Sequence, residues 1–268
     1  MYQTHYGFTR MPFTKDLPPT ALFASNSLQE LASRLTFLTR ERGLGLLTGE
    51  IGSGKSTAVR RFVDSLDPNQ FLVVYLPNPT IGISGLYRDL LTALAYEPLY
   101  SRPKMVARIR SAFQDLLQNK HRCPVIIIDE AHHLPPEAFE QLRLLFSTEM
   151  DSQSLGALLL VGHPELRNTL RLSIHQSFAQ RITTRYHLSP FDLQATLAYI
   201  QRQFTIAGYK GVDIFTDDAK RHIFSFTKGI PRQINLVCHL ALLSGMMDKH
   251  SVIELSAVRK VIADLEAN

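Results

Sequence analysis

Cysteine is scarce in this 268-residue chain: Cys123 and Cys238 stand far apart, with no metal-ligand partners at the proper spacing. That excludes a disulfide framework and a cysteine-based zinc site, and suits two buried thiols in a reducing cytosol. Long apolar runs are missing as well. Val125–Ile128 and Ala157–Val161 are strand-sized, far short of the ~20 residues of a membrane helix. The opening Met1-Tyr2-Gln3-Thr4-His5 is polar and has no secretory pattern. No repeat or low-complexity stretch stands out. The expectation is a cytoplasmic protein without membrane insertion. A hydrophobic content of 45%, with 14 Gly and 14 Pro, suits one large α/β domain and a smaller one.

Periodicity orders the chain. An N-terminal arm, residues 1–27, is rich in aromatics and prolines (Tyr6, Phe8, Pro12, Phe13, Pro18, Pro19). A helix is expected from about Leu28 to Thr39, then strands at Leu44–Leu47, Phe71–Leu76, Val125–Ile128 and Leu155–Val161. Between them lie helical faces marked by Leu86, Leu90, Leu91 and Leu94, by Met105, Ile109, Phe113 and Leu116, and by Phe139, Leu142, Leu145 and Phe146. Strands alternating with helices predict a parallel sheet covered on both faces over residues 28–189. From Ser189-Pro190 onward only helical spacing remains, with starts signalled at Asp192 and at Thr216 followed by Asp217 and Asp218. Residues 190–268 therefore read as an all-helical domain.

The most informative stretch is Gly49-Glu50-Ile51-Gly52-Ser53-Gly54-Lys55-Ser56, followed by Thr57. It lies between an apolar strand and a helix with Val59, Phe62, Val63 and Leu66 at helical spacing, the context of a phosphate-binding loop. Its glycines let successive N–H groups face phosphate oxygens, and the helix N-terminus adds positive potential. Lys55 is expected on the β/γ-phosphates of ATP and Ser56 on Mg²⁺. A second piece, Val125-Ile126-Ile127-Ile128-Asp129-Glu130, places two carboxylates at a strand end, 73 residues beyond Ser56. At the carboxyl edge of a parallel sheet they would adjoin the loop. Asp129 would then orient Mg²⁺ and Glu130 polarise the attacking water.

With these pieces the chain resembles the AAA+ ATPases of the ExeA type, a group that includes ATP-dependent regulators from bacterial transposons. The likeness is carried by Tyr6-Gly7-Phe8 with Pro12-Phe13, Leu47 to Thr57, and Ile127 to Ala131. It continues through Val161-Gly162-His163-Pro164-Glu165-Leu166, Gln180-Arg181-Ile182 and Gly229-Ile230-Pro231-Arg232. It implies an α/β AAA+ domain with a helical lid. Arg181 matches the arginine inserted into a neighbouring subunit's ATP site, and Arg185, four residues on and expected on the same helix face, is the runner-up. Arg232, beside Pro231, matches the lid arginine that senses γ-phosphate, and His163 takes the position of a polar sensor. Phe8 and Phe13 are read as packing or as a border for the adenine. An arginine supplied in trans implies a homo-oligomer, ring or helical filament, with ATP at each junction.

The net charge of +5 is uneven. Arg102, Lys104, Arg108, Arg110, Lys120 and Arg122 face one acid, Asp115, between residues 102 and 122. Such a segment is either a solvated helix face or a patch for a polyanion. By resemblance to filament-forming transposition regulators, Arg102, Lys104 and Arg108 would meet double-stranded DNA, with Thr80 and Ser84 adding hydroxyl contacts or forming an ordinary loop. Three uses remain open: regulation of transposition through target DNA and a transposase, assembly of a secretion or pilus system, and a nucleotide-switched protein adaptor.

Overall fold

The computed structural model describes residues 2–14, 23, 25–77, 79, 82–148, 153–211 and 213–267. The chain starts with a short helix α1 (Tyr2–Tyr6), then α2 (Asn26–Arg40), β1 (Leu44–Gly49), α3 (Lys55–Ser65), β2 (Phe71–Leu76), α4 (Gly82–Ala93) and α5 (Arg102–Gln118). Next come β3 (Cys123–Ile128), α6 (Pro136–Phe146), the two-residue strands β4 (Ser147–Thr148) and β5 (Gln153–Ser154), β6 (Ala157–Gly162), α7 (Glu165–Thr169), α8 (Gln176–Gln180) and β7 (Ile182–Leu188). Helices α9 (Leu193–Ile206), α10 (Asp217–Thr227), α11 (Pro231–Met247) and α12 (Leu255–Glu266) complete it. By its contacts the chain divides into an α/β unit, Asn26–Ile51 with Lys55–Leu188, and a helical unit, Met1–Ser25, Gly52–Gly54 and Ser189–Asn268.

In the α/β unit five strands form one parallel sheet in the order β2-β3-β6-β1-β7. Side chains of a strand alternate between faces, and both faces here are apolar. Leu46, Ile126, Ile128, Leu158 and Leu160 join one cluster with residues of α4, α5 and α6. Leu47, Val125, Ile127, Leu159 and Val161 join the other with α2 and α3. Burial on both sides explains why these strands read as continuous aliphatic runs rather than alternations.

Two sequence expectations are corrected. β6 begins at Ala157 rather than Leu155, because the Leu155 amide donates to Phe146 O (2.9 Å) and ties that residue to the end of α6. The larger correction concerns Arg185. It does not share a helix with Arg181: residues 182–188 form the edge strand β7, whose β-branched and aromatic residues pair with β1.

The helical unit has its own core, built on Ile200, Phe204, Ile223, Ile234, Val237, Leu242 and Val258. The N-terminal aromatics belong to it. Phe8 stacks on Phe204 at 5.8 Å, and Phe13 meets the same ring edge-on at 5.6 Å. Both are buried, in keeping with the packing expected of them. Asp192 and Thr216 cap α9 and α10 by accepting from the Ala195 and Ala219 amides.

Candidate functional site

The carboxyl end of the sheet gathers the first group. β1 ends at Gly49, and α3 starts at Lys55, which is buried although charged. Its Nζ donates to Gly49 O at 2.8 Å and Glu50 O at 3.0 Å, so the ammonium is held inside the curl of the loop. Ser56, one residue on, donates from Oγ to Asp129 Oδ2 at 3.1 Å. Asp129 follows β3, is only 5% exposed, and its amide donates to Leu76 O of β2. A buried carboxylate needs donors, and Asp129 has three. Ser56 Oγ and Tyr75 OH, the latter at 2.6 Å, reach Oδ2, and the Glu130 amide reaches Oδ1 at 2.9 Å.

Glu130 takes a left-handed backbone, φ 50°, uncommon for a residue with a side chain. Strained backbone of this kind gathers at functional sites. Beyond Asp129 its Oε2 lies 3.5 Å from His132 Nδ1 and 3.6 Å from His163 Nε2. His163 directly follows β6, and its ring stacks on that of His132 at 4.0 Å with a 20° interplanar angle. Burial, reinforced by the neighbouring His163 and His133, holds the His132 imidazole below its ordinary pKa.

In the helical unit, Gly229 (φ 75°) and Pro231 set the start of α11, and the Arg232 amide donates to Gly52 O at 3.3 Å. A side chain at Gly52 (φ 82°) would put its Cβ 2.7 Å from the Arg232 Cβ, so glycine is required there twice over, by conformation and by space. Ser53 Oγ is buried with no hydrogen-bond partner among the described residues, a donor open to a phosphate oxygen. Lys55, Ser56, Asp129, Glu130 and His163 thus come together.

Arg181 does not join them in its own chain. It caps the C-terminus of α8 just before β7 and donates to Ser147 Oγ at 3.5 Å, beyond the end of α6. Gly49 pairs with Leu188, at the other end of β7. Seven steps of ~3.3 Å put Arg181 roughly 23 Å along the strand from the loop. Arg185, opposite Leu46 in mid-strand, donates to Ala179 O and accepts from Arg34 through its carbonyl.

Of the basic segment, Arg110 reaches Leu144 O and Ser147 O, Arg122 reaches Phe71 O, and Lys120 pairs with Asp115 at 3.3 Å. Arg102, Lys104 and Arg108 are exposed. Arg102 donates to Ser84 Oγ at 3.3 Å, and Arg108 lies over the Tyr96 ring. Arg88 lies over Tyr100, whose ring is 94% exposed. Thr80 lies outside the described residues.

Sequence reasoning missed Tyr75, His132 and Tyr100. Tyr75 carried a faint signal, a polar tip near the end of an apolar strand that neighbours β3. His132 lay in plain view two residues past Glu130, but only the fold brings it to His163.

A glycine loop leaving the interior strand β1, a buried lysine inside it, and a hydroxyl-carboxylate pair from α3 and the end of β3 define a P-loop ATPase fold. Residues 38–170 match the model of the AAA domain. The chain is 36% identical over 251 residues to the general secretion pathway protein A of Aeromonas hydrophila, covering 91% of this chain and 45% of that protein. It is 25% identical over 150 residues to the ATP-dependent target DNA activator B of Escherichia phage Mu, covering 55% of this chain and 44% of that protein. The Cdc6p structure from Pyrobaculum aerophilum superposes with a TM-score of 0.70 at 16% identity, covering 94% of this chain and 70% of that one. The chain carries an AAA+ ATPase module of the ExeA type, and it spans about half the length of the curated relatives it matches. Among the described residues no helix is long and apolar enough to cross a membrane.

Proposed function

We propose that the chain hydrolyses ATP at junctions between its own copies, and that the ATP-bound assembly holds double-stranded DNA for a transposase until hydrolysis releases it. Lys55, already desolvated, exchanges a loop carbonyl for a phosphate oxygen, while the amides of residues 49–57 cradle the triphosphate. Ser56 Oγ and Asp129 present the oxygen donors that suit Mg²⁺. When bound, that ion neutralises charge on the β- and γ-phosphates. Glu130 accepts a proton from the attacking water, and His163, 3.6 Å away, limits where its carboxylate swings.

The observation that carries the trans mechanism is the position of Arg181 at the far end of the sheet, out of reach of its own loop. An arginine so placed serves another copy's γ-phosphate. The DNA reading is supported by the exposed group of Arg88, Tyr100, Arg102, Lys104 and Arg108, with Ser84 orienting Arg102, and by the relative from phage Mu. These contacts would follow phosphates and carry no sequence code. The second reading is assembly of a secretion system, favoured by the 36% identity to general secretion pathway protein A. A protein-only adaptor is the third.

Duplex retention with an ATP analogue, titrated with salt, separates them. DNA regulation requires steeply salt-dependent retention, with Lys104→Ala lowering the log–log slope by about one. No retention at low salt would eliminate it and leave the other two.

A further inference from the structure

We infer that Glu130, His132 and His163 form a site for a borderline-soft divalent metal, Zn²⁺ in particular, whose occupation takes the Glu130 carboxylate out of the reaction. The inference rests on the reading of Glu130 as the base. One donor atom from each residue lies within 4.8 Å of the other two: His132 Nδ1, His163 Nε2 and a Glu130 carboxylate oxygen. The Glu130 Oε2 separations, 3.5 Å and 3.6 Å, can be set against a tetrahedral zinc site. Bonds of ~2.0–2.1 Å there put donors about 3.3–3.4 Å apart. The two edges close by a few tenths of an ångström.

Two imidazoles and one carboxylate are also the donor set that holds zinc with one position left open for water. The same set is poor for Mg²⁺, which takes oxygen donors. Asp129, the residue before Glu130, and Ser56, hydrogen-bonded to it, offer oxygen instead, so two sites of different hardness adjoin.

The surroundings favour coordination. His132 Nδ1 is buried and makes no hydrogen bond among the described residues, so a metal displaces none of these from it. His163 has its other nitrogen, Nδ1, 3.9 Å from Glu165 Oε2, a carboxylate beyond the ligand of the kind that orients metal-binding histidines. The glutamate side chain is 43% exposed, which leaves a path for entry. The two stacked rings must splay from their 20° arrangement to aim both lone pairs at one point, a rotation costing on the order of 1 kcal/mol. Glu130 sits in a left-handed conformation fixed by the turn Ala131–His133, so its carboxylate is already aimed at both histidines.

With Oε2 on the metal, Glu130 no longer accepts a proton from water. Zn²⁺ then acts as a brake on turnover, not as a participant in it.

Calorimetric titration of the nucleotide-free chain with ZnCl₂, alongside Co²⁺ absorption, tests this. One equivalent should bind, with an intense four-coordinate Co²⁺ spectrum. His132→Ala and His163→Ala should each raise Kd by at least about tenfold, and Glu130→Gln should do likewise while circular dichroism shows the fold retained. Zn²⁺ at one equivalent, in excess Mg²⁺, should suppress ATP turnover in the parent chain, and what turnover His132→Ala retains should resist it. Unchanged Zn²⁺ affinity in both histidine variants, or a weak six-coordinate Co²⁺ spectrum, would overturn the site. Tight binding without any effect on turnover overturns the brake. Absence of ATPase activity in the zinc-free parent, assayed in excess Mg²⁺, defeats the reading of Glu130 instead, and the calorimetry still decides the site.

Discussion

Tyr75→Phe removes one oxygen atom and isolates one contact. The Tyr75 hydroxyl donates to Asp129 Oδ2 at 2.6 Å, on the same oxygen that accepts from Ser56 Oγ. Burial first, then the hydrogen bond to Asp129 and the charges of Asp129 and Glu130, push the phenol well above its ordinary pKa. It is therefore a neutral donor throughout the working pH range. Hydrogen bonds to charged groups contribute about 1.5–3 kcal/mol. Tyr75 is 47% exposed, so water replaces part of that loss and brings the effect just below that range. About 1–1.4 kcal/mol is a five- to tenfold effect. The remaining donors, Ser56 Oγ and the Glu130 amide, leave the carboxylate in place but freer to rotate. The Mg²⁺ concentration for half-maximal turnover at fixed ATP should rise about five- to tenfold. Fluorescent-nucleotide affinity without Mg²⁺ should stay within about twofold on the same argument, because Asp129 enters through the ion. Equal weakening with and without Mg²⁺ would mean that Tyr75 shapes the loop, and an unchanged Mg²⁺ requirement would refute the positioning role outright.

Two further outcomes follow from single residues. Glu130→Gln should retain ATP affinity in equilibrium binding and lose about 10²–10⁴-fold in turnover, whereas near-parental turnover would remove Glu130 as the base. His175, buried edge-on against Phe139, is held below its ordinary pKa by burial. A depressed folded pKa gives stability that is present above the unfolded value of about 6.5 and is lost as pH falls. Thermal midpoints should drop below that pH, and less so in His175→Gln. His132 and His187, depressed mainly by burial, keep part of the slope, but an identical slope in the variant would exclude His175.

What the sequence disclosed and what it hid divide along physical lines. β2 was legible to the residue, Phe71–Leu76, because its six residues form an unbroken run of aromatic and aliphatic side chains with high strand propensity, although it lies at the sheet edge. The Lys55, Ser56 and Asp129 group was legible because a glycine loop and a strand-terminal carboxylate have fixed sequence forms. β7 was not. Ile182-Thr183-Thr184-Arg185-Tyr186-His187-Leu188 is an edge strand with polar residues on its outer side, and its periodicity is weak beside the arginines that drew attention. Missing it misplaced Arg185. The histidine pair escaped for another reason: His132 and His163 are 31 positions apart and meet only because β3 and β6 are adjacent in the sheet.

That same edge strand makes the oligomer testable without any knowledge of its shape. Reaction groups sit at the carboxyl end of the sheet and Arg181 just before β7, roughly 23 Å of strand away. If the arginine works in trans, a chain carrying Glu130→Gln still lends a sound Arg181, and a chain carrying Arg181→Ala still offers a sound loop and Glu130. Mixed one to one, with random neighbours in a head-to-tail assembly, about a quarter of junctions combine both sound halves. Turnover of the mixture should therefore reach about a quarter of the parental value while each variant alone stays near background. Raising the proportion of the Glu130→Gln chain should carry the activity through a maximum at equal parts, because it depends on the product of the two fractions. A mixture no more active than its components, under conditions where light scattering shows that they co-assemble, would confine the chemistry to single chains and leave Arg181 a surface residue held by Ser147.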